Sequence, residues 1–253
     1  MEIIRSHPSA AFASLAALVI TPLAVSDYLT YLSYGPGGLP YNVGGWFVTN
    51  LLRLVSREQL SVRPYHDAAL YLHGQSGHLP EDFPRRRGLR PIVGPHPIPQ
   101  RQLSQLPDGL MRQELVTSFT AFAKSLQIKG IVEVKQSLLE RHHDALFAPA
   151  MLQSQWHPVA QQTRGEIAHI HAGKDGSVHV VLHPRDCEVV IEKGWGQRHA
   201  FSGVGVMKMI AGFELPINYV LVYAPRDRGE VEVVMRIVET AVKFMTESQD
   251  SMD

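Results

Sequence analysis

The sequence predicts an α+β fold, a mainly antiparallel sheet with packing helices, preceded by an N-terminal apolar helix. Glu166–Leu182 reads as two alternating strands around a tight turn, and Ile217–Tyr223 (INYVLVY) as a further strand. Gln113–Leu126 and Arg228–Met245 carry apolar residues at helical spacing. Strands and long packing helices without a repeating βαβ pattern argue for α+β rather than α/β.

The most apolar run, Ala10–Val25 (AAFASLAALVITPLAV), comes first. Its sixteen residues reach about 24 Å as a helix, short of a hydrocarbon core of about 30 Å. Residues 1–26 are therefore expected to form a short membrane-anchor-like segment. A cleaved signal peptide and an ordinary helix of the fold are the alternatives. Residues 27–110 hold an amphipathic helix, Val43–Val55, suited either to a membrane interface or to packing on the domain. Pro64–Pro107 follows, with eight of the seventeen prolines and Arg85-Arg86-Arg87. It reads as irregular chain, either a linker or a segment wrapped over the domain. Residues 111–253 form the α+β domain that carries the chemistry.

In that domain Leu115, Phe119, Phe122 and Leu126 share one helix face. Ile128–Gln155 is ambiguous, either a strand followed by a helix or a bent strand. His183-Pro184 stops a strand and opens a helix, Arg185–Lys193, with Gly194 as its C-terminal cap. Asp227 and Glu230 form a capping box for the last helix, whose apolar face is Val231, Val234, Val238, Ala241 and Met245.

Charge excludes some functions. Lys+Arg and Asp+Glu balance at 24 each, so no global field favours nucleic acid. The one cysteine, Cys187, excludes an intrachain disulfide and any CxxC zinc site, and fits a cytosol-facing domain. Walker, GxGxxG and GxSxG motifs are absent from the sequence.

Chemistry concentrates in Gly165–Ser202, which holds five of the thirteen histidines. If the turn Ala172–Gly176 (AGKDG) closes symmetrically, His169 faces His179, His171 faces Ser177 and Ile167 faces Val181. Alternation then puts His169, His171 and His179 on one face and Ala168, Ile170, Val178, Val180 and Leu182 on the other. In Gly194–His199 (GWGQRH) two glycines around Trp195 let the backbone approach something closely. Arg198 and His199 bring a cation and a base to that place. The expected arrangement is a turn folded over the histidine face, closing a pocket.

These residues carry a resemblance. EIAHIH, Asp175-x-Ser177-x-His179, KGWGQRH and YAPR before a glutamate-rich helix resemble the fungal luciferases and their luciferase-like relatives. Upstream, Asp27-Tyr28 with Gly35-Pro36, Pro40 and Asn42 is similar to the family's segment after its membrane helix. Arg87-Gly88-x-Arg90-Pro91, His96 and Gln100-Arg101-Gln102 are similar to its arginine-rich connector.

The resemblance implies oxygenation of 3-hydroxyhispidin, a hydroxylated styryl-α-pyrone luciferin, by molecular oxygen, with loss of carbon dioxide and emission of light. It implies no metal and no organic cofactor, O₂ being a co-substrate. It also implies attachment of the N-terminus to a membrane, with no nucleic-acid partner. Oxygenation without a cofactor needs a base to form an enolate and a cation to hold it. His169, His171, His179 and His199 offer bases and Arg198 a catalytic charge. Glu166, Trp195, Tyr219, Tyr223 and Arg226 are the expected substrate-binding groups. Two other readings stand beside this one. His-x-His on a strand with a later histidine suits a cupin-like metal oxygenase. A non-luminous, membrane-associated protein could instead bind a flat aromatic ligand.

Overall fold

The structure is a computed structural model and describes residues 8–66, 77–156, 158–205, 208 and 214–246. The described strands are β1 (Glu133–Gln136), β2 (Asp144–Phe147), β3 (Glu166–Ile170), β4 (Val178–Val181), β5 (Gly196–Arg198) and β6 (Tyr219–Val222). They form one antiparallel sheet in the order β1-β2-β3-β4-β6-β5. The hairpin register is the one the alternation requires. His169 pairs with His179 and Ala168 with Val180, and His171 N–H bonds the Ser177 carbonyl at 2.9 Å. Next door, His179 pairs with Leu221 and Val181 with Tyr219.

One face of this sheet is apolar. Ala168, Ile170, Val178, Val180, Val220 and Val222 are all 3% exposed or less. Two long helices cover that side, Gly109–Ile128 and Arg228–Thr246, and they also pack on each other. The second buries Val231, Val234, Val238, Ala241 and Met245, the predicted stripe. Each valine and methionine among them contributes about 1.5–3 kcal/mol by leaving water. Asp227 caps this helix by accepting the Glu230 N–H at 2.9 Å. The return half of the expected capping box is redirected, because the Glu230 carboxylate accepts the Arg226 N–H at 2.9 Å instead.

The remaining chain covers the other face and the edges. Helix α1 (Pro8–Ser33) runs through the expected boundary at Asp27. Asp27 accepts hydrogen bonds from Trp46 Nε1 (2.7 Å) and Asn50 (3.0 Å) on α2 (Val43–Leu52), which ties the two helices together. Leu18, Val19, Ile20 and Leu23 of α1 and Phe47, Leu51 and Leu54 further on are exposed. Among the described residues no helix is long and apolar enough to cross a membrane, so the expected spanning anchor is not found there. Residues 1–7 of that expected segment lie outside the described residues.

The described part of Pro64–Pro107 is a wrapping segment rather than a linker. Arg86 N–H bonds the Lys193 carbonyl, Arg90 donates to the Gly196 carbonyl (3.0 Å), and Gln102 Oε1 accepts the Ala224 N–H (2.9 Å). The ambiguous Ile128–Gln155 resolves into β1, β2 and a 3₁₀ helix at Ala150–Gln155.

Candidate active site

The second face of the β3–β4 hairpin is polar and covered. The segments Gly37–Leu39, Ile98–Arg101 and Leu138–Arg141 lie over it and leave a cavity of about 350 Å³. That volume falls within the roughly 300–1,000 Å³ of small-molecule sites. His169, His171, His179, His199, Tyr219 and Arg101 are among its walls. The rings form one cluster. Centroids lie 5.1 Å apart for His169–His179, 4.8 Å for His171–His179 and 5.5 Å for His179–His199. Tyr219 stacks on His179 at 4.9 Å.

A hydrogen-bond chain orients these rings. Glu166 Oε1 lies 2.7 Å from His169 Nδ1, and His169 Nε2 lies 3.2 Å from His179 Nδ1. His179 Nε2 reaches Gln100 Oε1 at 3.0 Å. His171 Nδ1 contacts Ser177 Oγ (2.9 Å) and Asp175 Oδ1 (3.2 Å). Burial, reinforced by Arg101 and the neighbouring imidazoles, holds His171 and His179 well below the ordinary histidine range. Burial, with His169 beside it, pushes His199 down to about 3. These three rings are therefore neutral at neutral pH.

The buried cation of the cavity is Arg101, 2% exposed, and the exposed Arg141 also lines it. Arg101 donates to the carbonyls of Tyr34 (3.4 Å) and Pro36 (3.1 Å) and lies 3.7 Å from Glu140. Gly37 makes room for it, because a Cβ there would sit 2.7 Å from Arg101 Nη2.

The structure brings together His169, His171, His179, His199, Glu166 and Tyr219 among the predicted site residues. It takes the others elsewhere. Trp195 is buried against the preceding segment, donating to the Pro84 carbonyl at 2.5 Å. Arg198 donates to the Glu58 carbonyl and lies 3.5 Å from the Glu58 carboxylate, in a separate groove. Tyr223 bonds Gln197 at 2.9 Å, and Arg226 pairs with Glu230.

The reason is local. Gly196–Arg198 is edge strand β5 rather than a turn over the pocket. Alternation along it sends Gln197 and His199 to the polar face and Arg198 to the other. Gly196 does permit a close approach, to the neighbouring strand: a Cβ there would lie 2.5 Å from the Leu221 carbonyl oxygen. Gln100, Arg101, Ser137 and Glu140 were missed as site residues. Gln100 and Arg101 stand in a motif that carried the resemblance. Ser137 and Glu140 had no pattern to mark them.

The Luciferase domain family matches residues 164–241, which contain the whole hairpin. The chain is 32% identical over 241 residues to the luciferase of Armillaria gallica, covering 92% of this chain and 85% of that one. The luciferase of Armillaria mellea gives the same figures. That of Neonothopanus nambi is 32% identical over 245 residues, with 92% and 85% covered. No solved structure matches. With likeness of this extent running through both the covering segments and the histidine hairpin, the chain belongs to the fungal luciferase family.

Proposed function

We propose that this protein oxygenates a hydroxylated styryl-α-pyrone of the 3-hydroxyhispidin type, with release of carbon dioxide and light. The observation that carries the reading is a cavity lined by neutral, buried imidazoles beside one buried guanidinium. Without a metal, the hydroxyl proton of the pyrone passes to an imidazole, and His171 is the candidate base, because the Nδ1 of His199 already accepts the Phe201 N–H. Arg101, rather than Arg198, holds the resulting enolate. The electron-rich pyrone is oxidised and O₂ reduced. Both oxygen atoms enter a peroxide, whose collapse releases carbon dioxide. Tyr219 and Phe201 supply aromatic walls.

In the first reading this proceeds without a cofactor, as the family resemblance implies. In a second reading a metal assists, and the convergence of His169, His171 and His179 favours it. The exposed apolar side chains of α1 and α2 would rest the protein on a membrane surface, and flotation with liposomes checks that.

The substrate is tested by adding 3-hydroxyhispidin in air to purified protein and following oxygen uptake, pyrone absorbance and photons. All three should change together. Oxygen uptake no faster than without protein would exclude the oxygenase reading.

A further inference from the structure

The nitrogens of the three hairpin histidines that point away from the cluster each face a hydrogen-bond acceptor. The Ser137 hydroxyl oxygen receives the N–H groups of Leu139 (3.2 Å) and Glu140 (2.8 Å), so its own proton goes to Glu166 Oε1 (2.7 Å). Leu138 and Leu139 donate to Glu166 Oε2 (2.8 and 3.3 Å). Glu166 is thus an acceptor only, and His169 Nδ1 carries the hydrogen between them. Gln100 is fixed in the same way. Its amide nitrogen faces the Arg198 carbonyl at 3.2 Å, so its oxygen faces His179 Nε2, which carries the hydrogen. Ser177 Oγ lies 3.0 Å from both Asp175 oxygens and donates there, leaving His171 Nδ1 as the donor toward Asp175 and Ser177.

Neutral rings in these tautomers leave three lone pairs, on His169 Nε2, His179 Nδ1 and His171 Nε2. The ligand atoms of the three residues lie within 4.8 Å of one another. His169 Nε2 and His179 Nδ1 face each other at 3.2 Å with no hydrogen left to place between them. That is the span of two nitrogens bound to one ion, each about 2.1 Å from it, at an angle of about 100°. The groups around the cluster point the same way. Glu140, Glu166 and Asp175 are buried carboxyl groups around the cluster, and Arg101 is the buried cation against them. Carboxylate or amide partners behind each imidazole are the usual support of metal-bound histidine.

We propose that His169, His171 and His179 hold a divalent first-row transition ion through three neutral imidazoles, with its open positions facing the cavity. Imidazole ligands suit iron, copper, nickel and zinc, and disfavour magnesium and calcium. Glu166, Asp175 and Gln100 position the rings and do not touch the ion.

The test uses untagged full-length protein, stripped with chelator, desalted and titrated with cobalt(II) at neutral pH, without any pyrone. One cobalt per chain with new visible absorption is expected. His179→Gln should abolish it, and Glu166→Gln should weaken it by about 10–100-fold, the usual effect of losing such a partner. Absence of cobalt binding to the folded wild-type chain would overturn the proposal, as would equal affinity in a folded His179→Gln variant. Because the readout needs no substrate, cobalt binding in a protein inert toward 3-hydroxyhispidin would sink the substrate assignment and leave the metal site standing.

Discussion

The two faces of the β3–β4–β6 sheet are made by the same strands and differ by one step of alternation. On the helix side, Ala168, Ile170, Val178 and Val180 meet Val234 and Val238, and burial itself supplies the stability. On the other side, His169, His171, His179 and Ser177 are equally buried, and each depends on a named partner. A hydrogen bond there returns only about 0.5–1.5 kcal/mol net, whereas a buried polar group left unpaired costs about 1–3 kcal/mol. One face stabilises and tolerates exchange of similar shapes. The other adds little stability and fixes the direction of every ring. Mutations on the two faces should therefore separate stability from turnover.

The largest expected effect is on the polar face. His171→Gln, which removes the candidate base, should lower turnover by roughly 10²–10⁴ while the melting temperature moves little. A large fall in melting temperature with normal activity in the folded fraction would make that face structural. On the apolar side, Ile237→Ala should cost about 2–5 kcal/mol in denaturant unfolding, with turnover per folded molecule preserved. Impaired turnover at full folding would show that the faces are coupled. Arg101→Lys should raise KM by about 10–100-fold, the equivalent of roughly 1.5–3 kcal/mol, because a point charge cannot reach the Tyr34 and Pro36 carbonyls as the planar fork does. An unchanged KM would remove Arg101 from substrate binding.

The smallest effect concerns pH. Burial pushes the Tyr34 phenol, in the cover of the polar face, up to about 12 from an ordinary 10. The folded chain keeps that proton longer than the unfolded chain. The contribution is complete below pH 10 and is lost as pH rises through about 12. Urea midpoints of the wild type and Tyr34→Phe should therefore converge or cross over that interval, and parallel curves would contradict it.

Much of this was legible in the sequence. The hairpin could be read because its turn is short and one face is apolar, so a slip of one residue would bury the wrong set. The last helix could be read because its apolar stripe, Val231 to Met245, runs for about four turns. Gly194–His199 was harder. Glycines flanking Trp195 signal close approach equally well in a turn or an edge strand, and only the partner strand decides. Gln100 and Arg101 lie in proline-rich chain without periodicity, where tertiary contacts alone set the direction of a side chain. Their place in the cavity could not follow from spacing.

Gln100 joins His179, 79 positions away in the chain, to the Arg198 carbonyl, 98 positions away. The cavity also needs Gly37 near one end of the sequence and Tyr219 near the other. Contacts of such separation close late, after local helices and hairpins have formed. During refolding, sheet and helix signals should return first, and activity last. A nascent chain would make its proline-rich segment well before the histidine hairpin it covers, and would stay chemically idle until the two close on each other.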